Sequence, residues 1–194
     1  NKQGRIAADH ICGRRSAYTG ALGTSVLKLF DLTAASTGLN EKQARAAGVA
    51  YDKVVTYSAS HASYYPGARN MTVKTLFDPA SGRILGAQIV GFDGVDKRMD
   101  VLAAAIRAGL TAEQLTELDL AYAPPYGSAK DPVNMAGYVI ENVRAGLVEQ
   151  HHWDAVAELP ADGSVILLDV RTPGEVRKQG LLRSDALHIP LDEL

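Results

Sequence analysis

The stretch MTVKTLFDPASGRILGAQIVG, residues 71 to 91, constrains the fold more than any other part of the chain. Met71, Val73, Thr75 and Phe77 alternate onto one face, the period of a strand with one buried side. DPASG follows, where Pro79 fixes φ and Gly82 accepts a positive φ, so the chain reverses. Ile84 to Val90 reads as the return strand. A hairpin of this kind has one face that must be covered by something apolar. The next segment supplies a cover, because Val95, Met99, Leu102, Ile106 and Leu110 recur at helical steps. Gly86 and Ala87 are small, which is read as room for a helix to approach the sheet.

The flanking segments extend this plan. GRIAADHICG places Ile6, Ala7 and Ile11 at helical spacing and ends at Gly13. The sequence opens inside that helix and without a methionine, so a fragment of a longer protein is expected. Gly20 and Gly23 permit a tight turn, after which Val26, Leu27, Leu29, Phe30 and Leu32 read as a mostly buried strand. LNEKQARAAG reads as a short helix with Asn40 as N-cap and Gly48 as terminator. YDKVVTYSAS reads as another strand. Thr111 and Gln114 match a capping box. Asp131 and Pro132 look like the N-cap and first residue of a last helix running to Leu147.

Strands and helices are grouped rather than alternating. The fold class expected is therefore α+β, an antiparallel sheet with helices packed on one side. That domain is expected to span residues 1–147. In residues 148–194, SVILLDV reads as a short apolar strand and RTPGEVRKQG as a polar turn. A segment of this size buries too little surface to build a core alone, so a truncated second domain is expected.

Composition excludes several functions. The chain is 46% hydrophobic and 22% charged, with a net charge of -2, so no strong field draws it to nucleic acid or an anionic membrane. No apolar run is long enough for a membrane-spanning helix, and the N-terminus lacks the core of a signal peptide. Cys12 is the one cysteine, so neither an internal disulfide nor a Cys/His metal cluster is expected. That usage fits a reducing cytoplasm. Cys12 itself reads as a small packing residue. There is no GxGxxG before a helix and no P-loop.

The candidate chemistry lies in two proline-bearing loops, YYPG at 64–67 and YAPPYGSAKDP at 121–131. A phenol donates a hydrogen bond to an anion or thiolate while its ring packs against a ligand. The plain alternative is that the rings pack on the domain or a partner. Lys130 stands at a helix N-terminus, where anions are favoured, although a solvated lysine beside a cap explains it equally. Asp93, Asp96, Lys97, Arg98 and Asp100 form a charge run that reads as a solvated or interfacial face. His61 is a candidate general base with no partner at a familiar spacing.

Together QGRIAADHI, YTGALGTSVLKLFDLTAASTGLNE, YYPGA, GRILGAQIVGFDGVDKRMDVLAAAI and LDLAYAPPYGSAKDPVNMAG resemble the dimerisation domain of flavin-dependent pyridine nucleotide-disulfide oxidoreductases. The likeness is to the branch of coenzyme A disulfide reductases, NADH oxidases and NADH-dependent persulfide or polysulfide reductases. ILLDVRTPGE and ALHIPLDEL resemble the opening of a rhodanese domain, a partial α/β segment, with QGLLRSDALHIP standing where the family's Gly-His-Ile segment is usual. The resemblance implies a homodimeric parent enzyme that uses FAD and NAD(P)H and reduces a coenzyme A disulfide or persulfide. It implies Tyr65 and Tyr126 as catalytic phenols that reach the partner subunit's reactive sulfur. It places Tyr64, Tyr122 and Lys130 near the substrate, and no metal is implied. The chain alone is expected to bind neither cofactor and to lack turnover. Relatives resembling glutathione reductase use a His–Glu pair in this domain, and no such pair is found. The alternatives are an NADH oxidase on the same scaffold and a purely structural dimerisation module.

Overall fold

A computed structural model of the chain describes residues 2–194. The chain divides into two compact units, Asn1–Val148 and Glu149–Leu194. In the first, helix α1 (Lys2–Ile11) precedes the hairpin β1 (Ser25–Leu29) and β2 (Leu32–Gly38). Helix α2 (Glu41–Ala46) leads to β3 (Asp52–Ala59), β4 (Asn70–Phe77) and β5 (Ile84–Gly91). Helices α3 (Val95–Ala108), α4 (Ala112–Thr116) and α5 (Pro132–Arg144) complete it. The five strands form one antiparallel sheet in the order β1-β2-β5-β4-β3. The α+β class and the antiparallel sheet are thus as expected.

The hairpin and its helix form the core. Met71, Val73, Phe77, Ile84, Ala87 and Ile89 meet Val95, Met99, Leu102 and Ile106, with Val133 and Ile140 of α5 beside them. Capping boxes start α2, α4 and α5 at Asn40, Thr111 and Asp131. Each pairs two backbone donors that would otherwise face solvent or core unsatisfied.

Several readings change. The segment 26–32 is two strands, not one, because the chain turns at Phe30, whose φ is +51°. β1 is exposed along its whole length, since an edge strand has one neighbour and no helix covers it here. Leu27, Val90 and Tyr57 stand exposed on one row of the uncovered sheet face. Gly86 makes room for backbone, not for a helix: a Cβ there would fall 1.8 Å from the Leu39 carbonyl oxygen. Cys12 is exposed, following a helix that has no buried residue. The last helix gives way at Ala145 and Gly146, three residues short of the expected end.

The second unit holds a 3₁₀ turn (Trp153–Glu158), the parallel pair β6 (Leu168–Asp169) and β7 (Leu187–His188), and α6 (Pro173–Gln179). RTPGEVRKQG is a capped helix rather than a polar turn. Thr172 and Glu175 form a capping box and Pro173 occupies the first turn. SVILLDV contributes only two residues to a ladder, because one short partner strand is available to it.

Candidate functional site

Both tyrosine loops leave elements of the sheet-and-helix core. The first follows β3 and is closed at its base by Ser60 N–H donating to the Arg69 carbonyl, 2.9 Å. Inside it, Tyr65 N–H donates to the Ala62 carbonyl, 2.9 Å, and Gly67 takes the left-handed conformation at φ +91°. A side chain at that position would be strained, which is why the turn uses glycine. The second loop precedes α5. Tyr126 N–H and Gly127 N–H both donate to the Ala123 carbonyl, at 2.8 and 3.1 Å. Lys97 Nζ reaches the Ala121 carbonyl at the loop's start.

The loops are joined to each other. Ala62 N–H donates to the Gly127 carbonyl across 3.0 Å. The Tyr64 and Tyr122 hydroxyls lie 3.2 Å apart, a hydrogen bond in which either phenol is the donor. That bond pushes the Tyr64 phenol above its ordinary pKa, because losing the proton would remove the donor it shares with Tyr122. Tyr65 and Tyr126 are 43% and 71% exposed. Their hydroxyls make no hydrogen bond among the described residues, so both are open to a ligand. Lys130 is exposed and sits 5.5 Å from the ring of Tyr138 on α5, a cation–π contact.

His61 is buried and fully engaged. Pro66's carbonyl can only accept, so His61 Nε2 carries the proton and donates to it at 3.3 Å. In the neutral ring Nδ1 then accepts from Ser60 Oγ at 3.1 Å, while that hydroxyl accepts from Arg69 N–H at 3.3 Å. Its ring meets the edge of Tyr65 at 5.9 Å between centroids. Asp93 Oδ2 lies 3.9 Å from Nδ1. No familiar spacing offers His61 a partner; the fold gives it several, and they engage both nitrogens in shaping the loop.

The residue missed by sequence reasoning is Arg98. The charge run suggested a solvated face, yet Arg98 is 1% exposed. Its Nη2 donates to the Ser60 carbonyl and to Asp131 Oδ2, each at 2.9 Å. Nε donates to Asp131 Oδ2 at 3.1 Å, and Nη1 to the Gly94 carbonyl at 3.2 Å. Asp131 in turn accepts from Val133 N–H as the cap of α5. A helical signal was available: Arg98 lies one position before Met99 and three after Val95, inside the apolar stripe rather than opposite it.

The sequence matches the family described as pyridine nucleotide-disulphide oxidoreductase, dimerisation domain, over residues 24–132. The chain belongs to this family. Both tyrosine loops fall within the matched dimerisation-domain residues. A coenzyme A disulfide reductase of Staphylococcus haemolyticus (strain JCSC1435) is 42% identical over 134 residues, 69% of this chain and 30% of that protein. The crystal structure of reduced Bacillus anthracis CoADR-RHD is 50% identical with a TM-score of 0.91, over 100% of this chain and 34% of that one. A NAD-dependent persulfide reductase from A. fulgidus is 41% identical with a TM-score of 0.86, again over 100% and 34%. The dimerisation-domain chain thus spans about a third of the length of these relatives.

Proposed function

We propose that this chain is the dimer-interface and substrate-site portion of a homodimeric, FAD-dependent, NADH-oxidising reductase of coenzyme A disulfide or persulfide. The observation that carries the reading is the pair of loops fastened together by Ala62–Gly127 and Tyr64–Tyr122, with the Tyr65 and Tyr126 hydroxyls left open. An ordinary phenol is protonated at neutral pH and is a donor. Placed beside a sulfur that gains negative charge as an S–S bond breaks, it lowers the energy of that charge. Tyr65 and Tyr126 take this role, and Tyr64, Tyr122 and Lys130 line the approach for an anionic substrate. The exposed row Leu27, Val90 and Tyr57 supports an apolar contact with another protein surface.

The described residues hold no Rossmann-type site for FAD or NADH. The sheet of the first unit is antiparallel, and the only parallel pair among the described residues is the two-residue ladder β6–β7. Neither has the crevice at the ends of parallel strands that holds a dinucleotide. Both cofactors are assigned to other parts of the parent enzyme. Residues 148–194 are proposed as the opening of a rhodanese-like domain, on the aspartate-valine-arginine turn at 169–171, the parallel ladder and α6. The exposed lone thiol of Cys12 suits a reducing compartment, and the cytoplasm is the proposed location.

Replacing Tyr65 and Tyr126 by phenylalanine in the whole enzyme tests the reading. Each change should lower kcat for disulfide or persulfide reduction by about a hundredfold, with the dimer intact. Unchanged turnover in both variants would leave a dimerisation module without a part in the chemistry.

A further inference from the structure

We propose that Arg98 is a positioning residue for the tyrosine site: its guanidinium fixes the two loops in the one relation that presents Tyr65 and Tyr126 together. The proposal deepens the reading above and rests on it for its catalytic meaning.

A guanidinium is a rigid plane with five N–H groups at set angles. Here one plane touches three segments: the Ser60 carbonyl after β3, the Gly94 carbonyl before α3, and the Asp131 carboxylate that caps α5. Ser60 is two residues from Ala62, whose N–H crosses to Gly127. Gly127 lies against the pair: a Cβ on it would stand 3.7 Å from Arg98 Nη2 and 3.8 Å from Asp131 Oδ2. Tyr65 and Tyr126 flank that crossing in sequence, three residues after Ala62 and one before Gly127. The ion pair is therefore the floor under both loops. Both ions are almost shut off from solvent, with side chains 2% and 5% exposed.

A buried ion pair is a poor choice for stability alone, because apolar residues of similar size often serve as well. A fork that must satisfy two carbonyls and a carboxylate fixes angles that apolar packing leaves free. Lysine keeps the charge but is a point donor on a flexible stem, and cannot hold all three acceptors in one plane.

The test is hydrogen–deuterium exchange with mass spectrometry on the full-length protein and its Arg98→Lys, Arg98→Met and Asp131→Asn variants. In Arg98→Lys, peptides covering 60–67 and 121–131 should exchange about tenfold faster, while the β4 and β5 peptides keep wild-type protection. Asn can still cap α5, so Asp131→Asn should loosen the same two loops with the helix start retained. If Arg98→Met does not fold, the other two variants carry the result. Wild-type exchange in both loops of a folded Arg98→Lys protein overturns the proposal. In the whole enzyme the same variant should lower kcat for the disulfide substrate about tenfold, with KM for NADH unchanged. Loosened loops with full turnover overturn the positioning role. The Tyr→Phe variants are read separately. If they leave turnover unchanged, the assigned function fails while the exchange result still decides what Arg98 holds.

Discussion

Arg98 and Arg171 each grip an aspartate with two nitrogens, yet the Arg98 side chain is 2% exposed and that of Arg171 is 31%. Around Arg98 stands a packed core, and the fork works as a fastener between loops that the core already supports. Around Arg171 there is little core. Its Nη1 reaches Gln179 Oε1 and its Nη2 the Gly180 carbonyl, each at 2.8 Å, while His188 Nε2 donates to the Arg171 carbonyl at 2.7 Å. Trp153, Ile166 and Leu191 remain exposed. In the second unit the fork links Asp169 of β6 to Gln179 and Gly180 at the end of α6. The two carboxylates are alike, Asp131 at 5% and Asp169 at 6% exposed, so the contrast lies in the guanidiniums: water reaches that of Arg171 and not that of Arg98.

The chain carries built-in probes for this contrast. All eight tyrosines lie in the first unit and the one tryptophan, Trp153, in the second. Tyrosine absorbance and tryptophan fluorescence therefore follow the two units separately during urea unfolding. The largest effect belongs to Arg98→Met, which leaves Asp131 charged and buried and should remove about 3–5 kcal/mol from the tyrosine-reported transition. A loss of less than about 1 kcal/mol would mean that water enters and solvates Asp131. Next comes Arg171→Met. It should shift the tryptophan-reported transition to lower urea and leave the tyrosine transition in place. Equal shifts in both would show that the two units unfold as one.

The smallest effect concerns acid. Burial pushes the Glu41 carboxyl up, but hydrogen bonds from Lys74 and Lys53 outweigh it and hold the group at about 2. A carboxylate depressed in the folded state adds stability above its unfolded pKa of about 4.3 and loses it as pH falls toward the folded value. Glu41→Gln should therefore flatten the fall in tyrosine-reported stability between about pH 4 and pH 2, and an unchanged slope would remove Glu41 as its source. Asp169, held at about 2 by its hydrogen bond from Arg171, predicts the same window for the second unit.

How much of this was legible beforehand follows from the range of the forces involved. The hairpin over 71–91, the amphipathic helix from Val95 and the caps at Asn40, Thr111 and Asp131 were readable because periodicity and capping are local. The two tyrosine loops were readable as unusual, for prolines and phenols cluster there. Their joining was not, since Tyr64 and Tyr122 are 58 residues apart and only the packing of α5 against β3 brings them within 3.2 Å. The exposure of β1 was misread for the same reason: an apolar strand pattern does not say whether another layer covers it.

By itself the sequence determined the element types, the α+β class and the two loops that bear the phenols, because each is written in neighbouring residues. Only the tertiary structure decided that Arg98 is buried beneath those loops, that His61 is spent on loop geometry, and that Gly86 yields to the Leu39 backbone. Those outcomes depend on segments distant in the chain competing for the same space and the same hydrogen bonds, and no local pattern encodes the winner.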